Sequence, residues 1–562
     1  MFSFFGPEDD NAKSRGPIVG KSIRKVTTPS TKITTAKPTL PSAIALKNGS
    51  SSKQNSARRN ASSSKDLLRV QMKKGPSTPK RKRATERIES ESEGSSDDGL
   101  ENHKRGKVSS GTSTPFAGDE MMDRNVWRGG GEWEGFMPCE DVVRGIRREW
   151  SGPTPPGKGG LERYMAYFPQ EGFENGDTLP SVELQHPAKG CRERFVLLQA
   201  TMPREYEPVH ELRKVLQMIF DHYIPAKHRD KFGYLLPTHL DHPSRMASPR
   251  PDAVITPPPD GPTETIGDAL RKALAPNRRD GPGLIKAMDR FNAAMVGIQE
   301  DGSMDAHLST KQLTRAEWSK LVDVVHEQAY SRAVGPYSHE LEHHPKHPDE
   351  VAKAITDIED SYGELRHDFM TKIIEQTGLG PDSVFVDLGS GVGNCVVQAA
   401  LQAGCKSYGF ELLPVPAHCA RVQLAEARRR WAMWYLDGNS NTAVYEGDFR
   451  DHSKVHRLLE KADVVLVNNE VFPPSLNDHL TNMFLDLKDG AIIVSLKPFV
   501  PEGFRINESN CDKFAAVVRS TQHTYYQGWV SWKADSGTYY IQVKDKSMRE
   551  KFEEDMKRGR NR

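Results

Sequence analysis

The sequence predicts an α/β fold: a doubly wound, mostly parallel sheet of seven strands near the carboxyl terminus, preceded by a smaller, mostly helical part and a disordered basic tail. Three observations carry that prediction. Five short β-branched runs alternate with amphipathic segments long enough for parallel crossovers, a glycine-rich turn follows the first run, and two further runs come last with no helix between them.

The five runs are Ser383–Val386, Ser407–Phe410, Thr442–Tyr445, Asp463–Val467 and Ala491–Leu496. Their apolar character fits strands covered on both faces. The segments between them, Asn394–Ala403, Ala417–Tyr435, Lys454–Lys461 and Leu476–Leu487, supply the crossover helices. Ala515–Arg519 and Thr538–Val543 then end the sheet as an antiparallel hairpin. Upstream, Val209–Phe220 and Trp318–Val325 place apolar residues at helical spacing, and the proline-rich stretch 243–283 reads as an exposed insertion. The chain thus divides into a tail (1–125), a mostly helical part (126–360), a ligand-binding domain (361–546) and a short basic end (547–562).

Charge is distributed unevenly. The formal net charge is only +2, yet residues 1–90 hold 20 Lys/Arg against 6 Asp/Glu, in a stretch too poor in aromatics to bury a core. Lys73 and Lys74, followed by Lys80, Arg81, Lys82 and Arg83, have the layout of a two-part nuclear localisation signal, the alternative being a merely solvated run. The acidic stretch 89–98 reads as a spacer. Six cysteines without a CxxC pair point to a reducing compartment and no metal site. Nothing approaches the roughly 18 apolar residues of a membrane span, so a soluble intracellular protein is expected.

The strongest local signal is Asp387-Leu388-Gly389-Ser390-Gly391-Val392-Gly393-Asn394, where the first strand enters a turn and then a helix. Glycines let the backbone turn sharply beside a ligand, and free N–H groups at the helix start favour a polar ligand group. The order D-x-G-x-G-x-G departs from the dinucleotide fingerprint G-x-G-x-x-G. It resembles motif I of the Rossmann-like class I methyltransferases, which implies S-adenosylmethionine as cofactor, its amino acid part oriented by Asp387. Glu411 ends the second strand, where a carboxylate accepts hydrogen bonds from ribose hydroxyls. Asp448 and Phe449 end the third, as a carboxylate for an adenine amino group and a ring to stack on the base. Three successive strand ends converge on one crevice.

After the fourth strand comes Asn468-Asn469-Glu470-Val471-Phe472-Pro473-Pro474. Together with Glu327–Pro336, Tyr362–Leu365, Asp387–Ala400, Val530-Ser531-Trp532 and Tyr539-Tyr540, this stretch resembles the disruptor of telomeric silencing (DOT1) family, non-SET histone H3 lysine-79 methyltransferases, in its fungal branch. The resemblance spans about 310–545. It implies that Tyr362, Gly363, Glu364 and Leu365 form a loop over the cofactor, which Asp387 to Asn394, Glu411, Asp448 and Phe449 hold. It further implies that Asn468 and Tyr539 line the active centre and that Phe472 and Trp532 wall a lysine channel. Glu470 departs from the pattern, standing where the family usually carries an aromatic. A nuclear enzyme acting on nucleosomes, stimulated by ubiquitylated histone H2B and serving telomeric silencing, is the implied whole.

The residue types suit that chemistry. A lysine ammonium, pKa about 10.4 in water, attacks only after losing its proton, and an apolar channel lowers that pKa by disfavouring charge. Positioning and dryness then matter more than a strong base. The basic tail, and with it Lys557 to Arg562, can neutralise DNA phosphates, although the latter also reads as a solvated terminus. Two alternatives stay open. One is a class I methyltransferase acting on DNA or RNA, against which stands the missing N-P-P-Y tetrapeptide; the other is a non-catalytic chromatin tether that kept the fold.

Overall fold

The computed structural model describes residues 120–148, 160–176, 178–203, 205–235, 264–342 and 363–560. The basic tail with Lys73, Lys74, Lys80, Arg81, Lys82 and Arg83, the loop residue Tyr362, and Arg562 lie outside them.

After a short helix at Cys139–Val143 come four short strands: β1 (Tyr164–Ala166), β2 (Ser181–Gln185), β3 (Arg192–Val196) and β4 (Leu198–Ala200), paired antiparallel as β1 with β4 and β2 with β3. Helices Pro208–His222, Ile266–Leu274, Gly281–Glu300 and Arg315–Ala333 follow. The main sheet holds β5 (Val384–Leu388), β6 (Lys406–Glu411), β7 (Thr442–Glu446), β8 (Val464–Val467), β9 (Ile492–Ser495), β10 (Val518–Tyr525) and β11 (Gly537–Lys544). Its order is β10-β11-β9-β8-β5-β6-β7, with β5 to β9 parallel and β11 antiparallel to both neighbours. This is the seven-stranded class I arrangement. The order reverses between β5 and β8, so a crevice opens at the carboxyl ends of these two strands.

Local chemistry sets the helix limits. Thr314 and Glu317 cap Arg315–Ala333 reciprocally, the Thr314 hydroxyl accepting from Glu317 N at 3.2 Å and the Glu317 carboxylate from Thr314 N at 2.9 Å. Pro414 opens the 20-residue helix Pro414–Met433, where its missing N–H costs nothing. The helix after the first glycine turn, Asn394–Gln398, widens into a π-helix at Ala399–Ala403.

The mostly helical upstream part also holds two ribbons, formed by β1–β4, while two other expectations are corrected. In β3 the inward positions are Glu193, Phe195 and Val196, so a buried carboxylate occupies a place where an apolar residue marks a strand. The insertion does not extend to 283, since Ile266–Leu274 is helical and Gly281 starts a 20-residue helix. Pro276 and Pro282 punctuate helices there. Finally, Phe514–Val517 is a 3₁₀ turn, and the strand expected at Ala515–Arg519 runs Val518–Tyr525.

The stretches expected as separate domains at 126–360 and 361–546 share one apolar core. Trp318, Tyr223 and Leu212 from the upstream helices pack in the same cluster as Val397, Leu401, Leu424, Trp431 and Trp434 from the sheet's helices. The described residues between 120 and 560 form a single compact unit. At its centre, Glu193 accepts from Arg430 Nη1 at 2.6 Å, Arg332 Nη2 at 2.8 Å and His186 Nε2 at 3.2 Å. Arg332 also reaches Glu211 at 2.7 Å, and Arg430 Nε reaches Glu426 at 2.8 Å. Both guanidiniums donate to the Met137 carbonyl, at 2.9 and 2.7 Å. Burial pushes the Glu193 carboxyl up, but Arg430 and Arg332 outweigh it and hold the group well below the usual range.

Among the described residues no helix is long and apolar enough to cross a membrane, and no three His, Cys, Asp or Glu side chains gather as metal ligands. Removing one member of the buried ion cluster strands the others without water. Arg430→Met is therefore expected to destabilise the fold by about 3–5 kcal/mol, read as a lower denaturation midpoint with an unchanged m-value.

Candidate active site

The turn after β5 puts Gly389, Gly391 and Gly393 at φ of 86°, 54° and 83°, a backbone region that side chains resist. A Cβ on Gly389 would also stand 3.2 Å from Phe472 Cζ. Gly389, Ser390, Gly391, Val392 and Asn394 line a cleft with Asp387, Gly363, Glu364, Leu365 and Asn468. All ten were expected at the site from the sequence. Cys395 and Leu466 line it too, and nothing in the sequence set them apart from core residues.

The cleft is electrostatically unfinished. Asp387 is buried, and burial first, then the nearby Glu411 charge, push its carboxyl up to about 8. Glu411 is likewise buried and raised by burial. Its Oε2 accepts from Gly391 N and its Oε1 from Leu413 N, both at 2.8 Å, so each oxygen keeps acceptor capacity for another donor. The buried Ser390 Oγ has no hydrogen-bond partner among the described residues. A ligand bringing an ammonium group and hydroxyls satisfies these groups, which is the donor set of the amino acid and ribose parts of S-adenosylmethionine.

One wall is a two-stranded rim. Leu365 bridges Val530, Ser531 N donates to Glu364 O at 3.0 Å, Glu364 N to Ser531 Oγ at 2.8 Å and Arg366 N to Trp529 O at 2.9 Å. Trp532 packs so tightly on Gly363 that any added Cβ would collide with its ring. Asn468 Nδ2 donates to the Gly363 carbonyl at 3.2 Å, tying the loop after β8 to this rim. Behind it, the Glu364 carboxylate receives Tyr330 Oη at 3.1 Å and Asn394 Nδ2 at 2.7 Å, while Gln423 Nε2 donates to Asn394 Oδ1 at 3.0 Å. Tyr330 and Ser531 lie inside sequence stretches already singled out, whereas Gln423 carried no signal.

Four expected residues sit differently from their expected roles. Tyr539 is buried and outside the cleft lining; its hydroxyl donates to Gln376 and its ring meets Phe369 edge-on at 4.9 Å. It shares the apolar cluster of Leu365, Leu466 and Val530, so it backs the wall. Phe472 lies over Gly389 and stacks on Phe449 at 6.4 Å, on the cofactor side. Phe449 itself is buried in the core beneath. Asp448 is engaged by Arg450, whose Nε lies 2.8 Å from Oδ2; these bonds outweigh burial and lower its pKa. Phe472 and Phe449 thus form a stacked pair of rings beside the glycine turn, and Asp448 comes with its own counter-ion.

Residues 330–544 match the family model described as histone methylation protein DOT1. A histone-lysine N-methyltransferase, H3 lysine-79 specific, of Cryptococcus neoformans var. neoformans serotype D (strain B-3501A) is 50% identical, with 99% of each chain covered. The protein of the same description from Mycosarcoma maydis is 42% identical over 50% of this chain and 34% of its own length. That from Emericella nidulans is 32% identical over 68% of both.

Gly389→Arg puts a long side chain into the cleft from a left-handed backbone position. The expected outcome is an at least hundredfold loss of S-adenosylhomocysteine affinity by calorimetry. The accompanying loss of stability is only about 1–2 kcal/mol.

Proposed function

The chain belongs to the DOT1 family, and from that premise we infer that it is a histone-lysine N-methyltransferase that transfers methyl groups from S-adenosylmethionine to lysine 79 of histone H3. The observation that carries this reading is the pair of buried carboxylates, Asp387 and Glu411, at adjacent strand ends beside a cleft lined by Asn468 and by Gly363, on which Trp532 packs. When bound, the cofactor supplies a sulfonium methyl group. The protein does the rest by holding and drying.

Asp387 would neutralise the cofactor's ammonium and Glu411 would take the ribose hydroxyls. Glu364, fixed by Tyr330 and Asn394, would close the loop above, joined by Tyr362 from outside the described residues. Phe472 on Phe449 offers a ring face for the base. Asn468, held by its amide nitrogen to Gly363, keeps its carbonyl oxygen for orienting the substrate amine. Trp532 would wall the channel in which burial favours the neutral, nucleophilic amine. Tyr539 acts from behind, bracing that wall through Gln376 and Phe369. Dispersal of positive charge in the transition state needs alignment more than acid or base, which suits such a set.

We place the substrate in nucleosomes, with Lys and Arg of the 1–90 tail tethering the enzyme to DNA and the Lys73–Arg83 run directing it to the nucleus. Ubiquitylated H2B as a stimulating partner and a part in telomeric silencing belong to the same reading. A methyltransferase on free DNA or RNA is the competing reading. Radiolabelled cofactor offered with free DNA, free H3 and nucleosomes separates them. Label on nucleosomal H3, assigned to lysine 79 by mass measurement, is the expected outcome; label on DNA alone overturns it.

The Asp387 carboxyl also makes a pH prediction. Its folded pKa is raised from about 3.9 to about 8, so the stability associated with its protonated form is lost as pH rises through that window in the ligand-free chain. A cationic ligand group beside it reverses the shift. Binding of S-adenosylhomocysteine at pH 6.5 should then release close to one proton, seen by calorimetry in two buffers of different ionisation enthalpy. Asp387→Asn should abolish that release.

A further inference from the structure

The loop after β8 carries Asn468 to the rim and Phe472 over the glycine turn, and between them stands Glu470, exposed to water. The loop is fixed in place there, because Lys497 Nζ donates to the Glu470 backbone carbonyl. Asn469 next to it is buried, its Oδ1 accepting from Leu496 N at 3.0 Å and Lys497 N at 2.8 Å. The Glu470 carboxylate itself has no hydrogen bond or ion pair among the described residues. Its negative charge is nonetheless felt by the Tyr525 hydroxyl, which burial first and Glu470 second push upward.

Tyr525 ends β10 and belongs to the opposite wall, where its ring packs 5.4 Å from Phe369 beside Trp529. The 468–472 loop and the 525–532 segment meet at Gly363, which accepts from Asn468 and lies under the Trp532 ring, so the exposed Glu470 stands two residues from the point where the two walls join. An exposed anion with no hydrogen bond or ion pair among the described residues contributes little to the fold. It does set the sign of the potential at the entrance. Lys497 beside it donates to the backbone carbonyl, not to the carboxylate.

We propose that Glu470 is a substrate-positioning residue, its carboxylate pairing with the ε-ammonium of the target lysine at the channel mouth and aligning that side chain for entry. The pairing is a binding step: the ammonium leaves Glu470 and sheds its proton to water before the neutral amine reaches the dry part of the channel. The proposal rests on the assignment of the chain as a histone-lysine methyltransferase. An exposed ion pair of this kind is worth about a two- to fivefold change in affinity.

The test uses the full chain and reconstituted nucleosomes in steady-state assays. Glu470→Gln is expected to raise KM for nucleosomes about two- to fivefold at low salt. Its kcat and its affinity for S-adenosylhomocysteine should match the wild type. Glu470→Lys, which reverses the charge, is expected to raise KM at least tenfold. The ratio of KM between Glu470→Gln and wild type should shrink toward one as salt rises to about 0.3 M and screening shortens. An unchanged KM in Glu470→Lys overturns the proposal, as does a lower kcat at constant KM, which would mark a merely structural loop residue. Lost S-adenosylhomocysteine binding would assign Glu470 to the cofactor site and also overturn it. If the wild type leaves H3 lysine 79 unmodified, the enzyme assignment fails first, and the proposal with it.

Discussion

Two arginines and three glutamates, nearly all shut away from water, decide how this molecule is put together. Glu193 comes from a short strand, Glu211 and Arg332 from two upstream helices, and Glu426 and Arg430 from the helix that follows β6. Desolvating such groups costs more than most single contacts return, so the cluster is stable only when every member is in place. That requirement orients the upstream helices against the sheet. Tyr330 and Arg332 share one helix, so the geometry that satisfies the cluster also delivers Tyr330 to Glu364 at the cleft.

The cleft inverts that logic. Within the cluster every charge has found its opposite, whereas among the described residues Glu411 accepts from backbone amides and Asp387 has the Glu411 charge beside it. Two carboxylates buried together are held ready for a cation, and the fold tolerates the mismatch because the rest of the core is complete. Selectivity for an amino acid nucleoside follows from this shortage of positive charge as much as from shape. The rim above is assembled from distant segments, 363–366, 468–472 and 525–532, which meet through main-chain hydrogen bonds and the Trp532 ring.

What the sequence made legible was what repeats or stands alone in its neighbourhood. Parallel strands covered on both faces read as nearly unbroken apolar runs, and β5, β8 and β9 are such strands. The glycine turn announces itself within eight residues. β3 was hidden because Glu193 holds an inward position, its polarity meaningful only once Arg332 and Arg430, far along the chain, are beside it. β10 was misplaced because it is an edge strand whose middle faces water, so only its ends are apolar enough to notice. The prolines at 276 and 282 suggested a loop where they flank helices, a distinction that needs the following residues' packing. Tyr539 was visible as an aromatic, but its partner Gln376 lies 163 positions away, and no local pattern reports that distance.

The helix Pro414–Met433 is outer cover for the sheet and inner wall for the upstream bundle at once, with Trp434 just past its end hydrogen-bonded to Gln328 and accepting from Tyr223. A piece of the chain cut at the start of the family match would leave Leu424, Trp431 and Trp434 bare, an oily stripe inviting clumping. The transferase sheet is thus no portable module: it cannot be lent to another polypeptide, nor trimmed to its recognisable motifs, without bringing its upstream companion along.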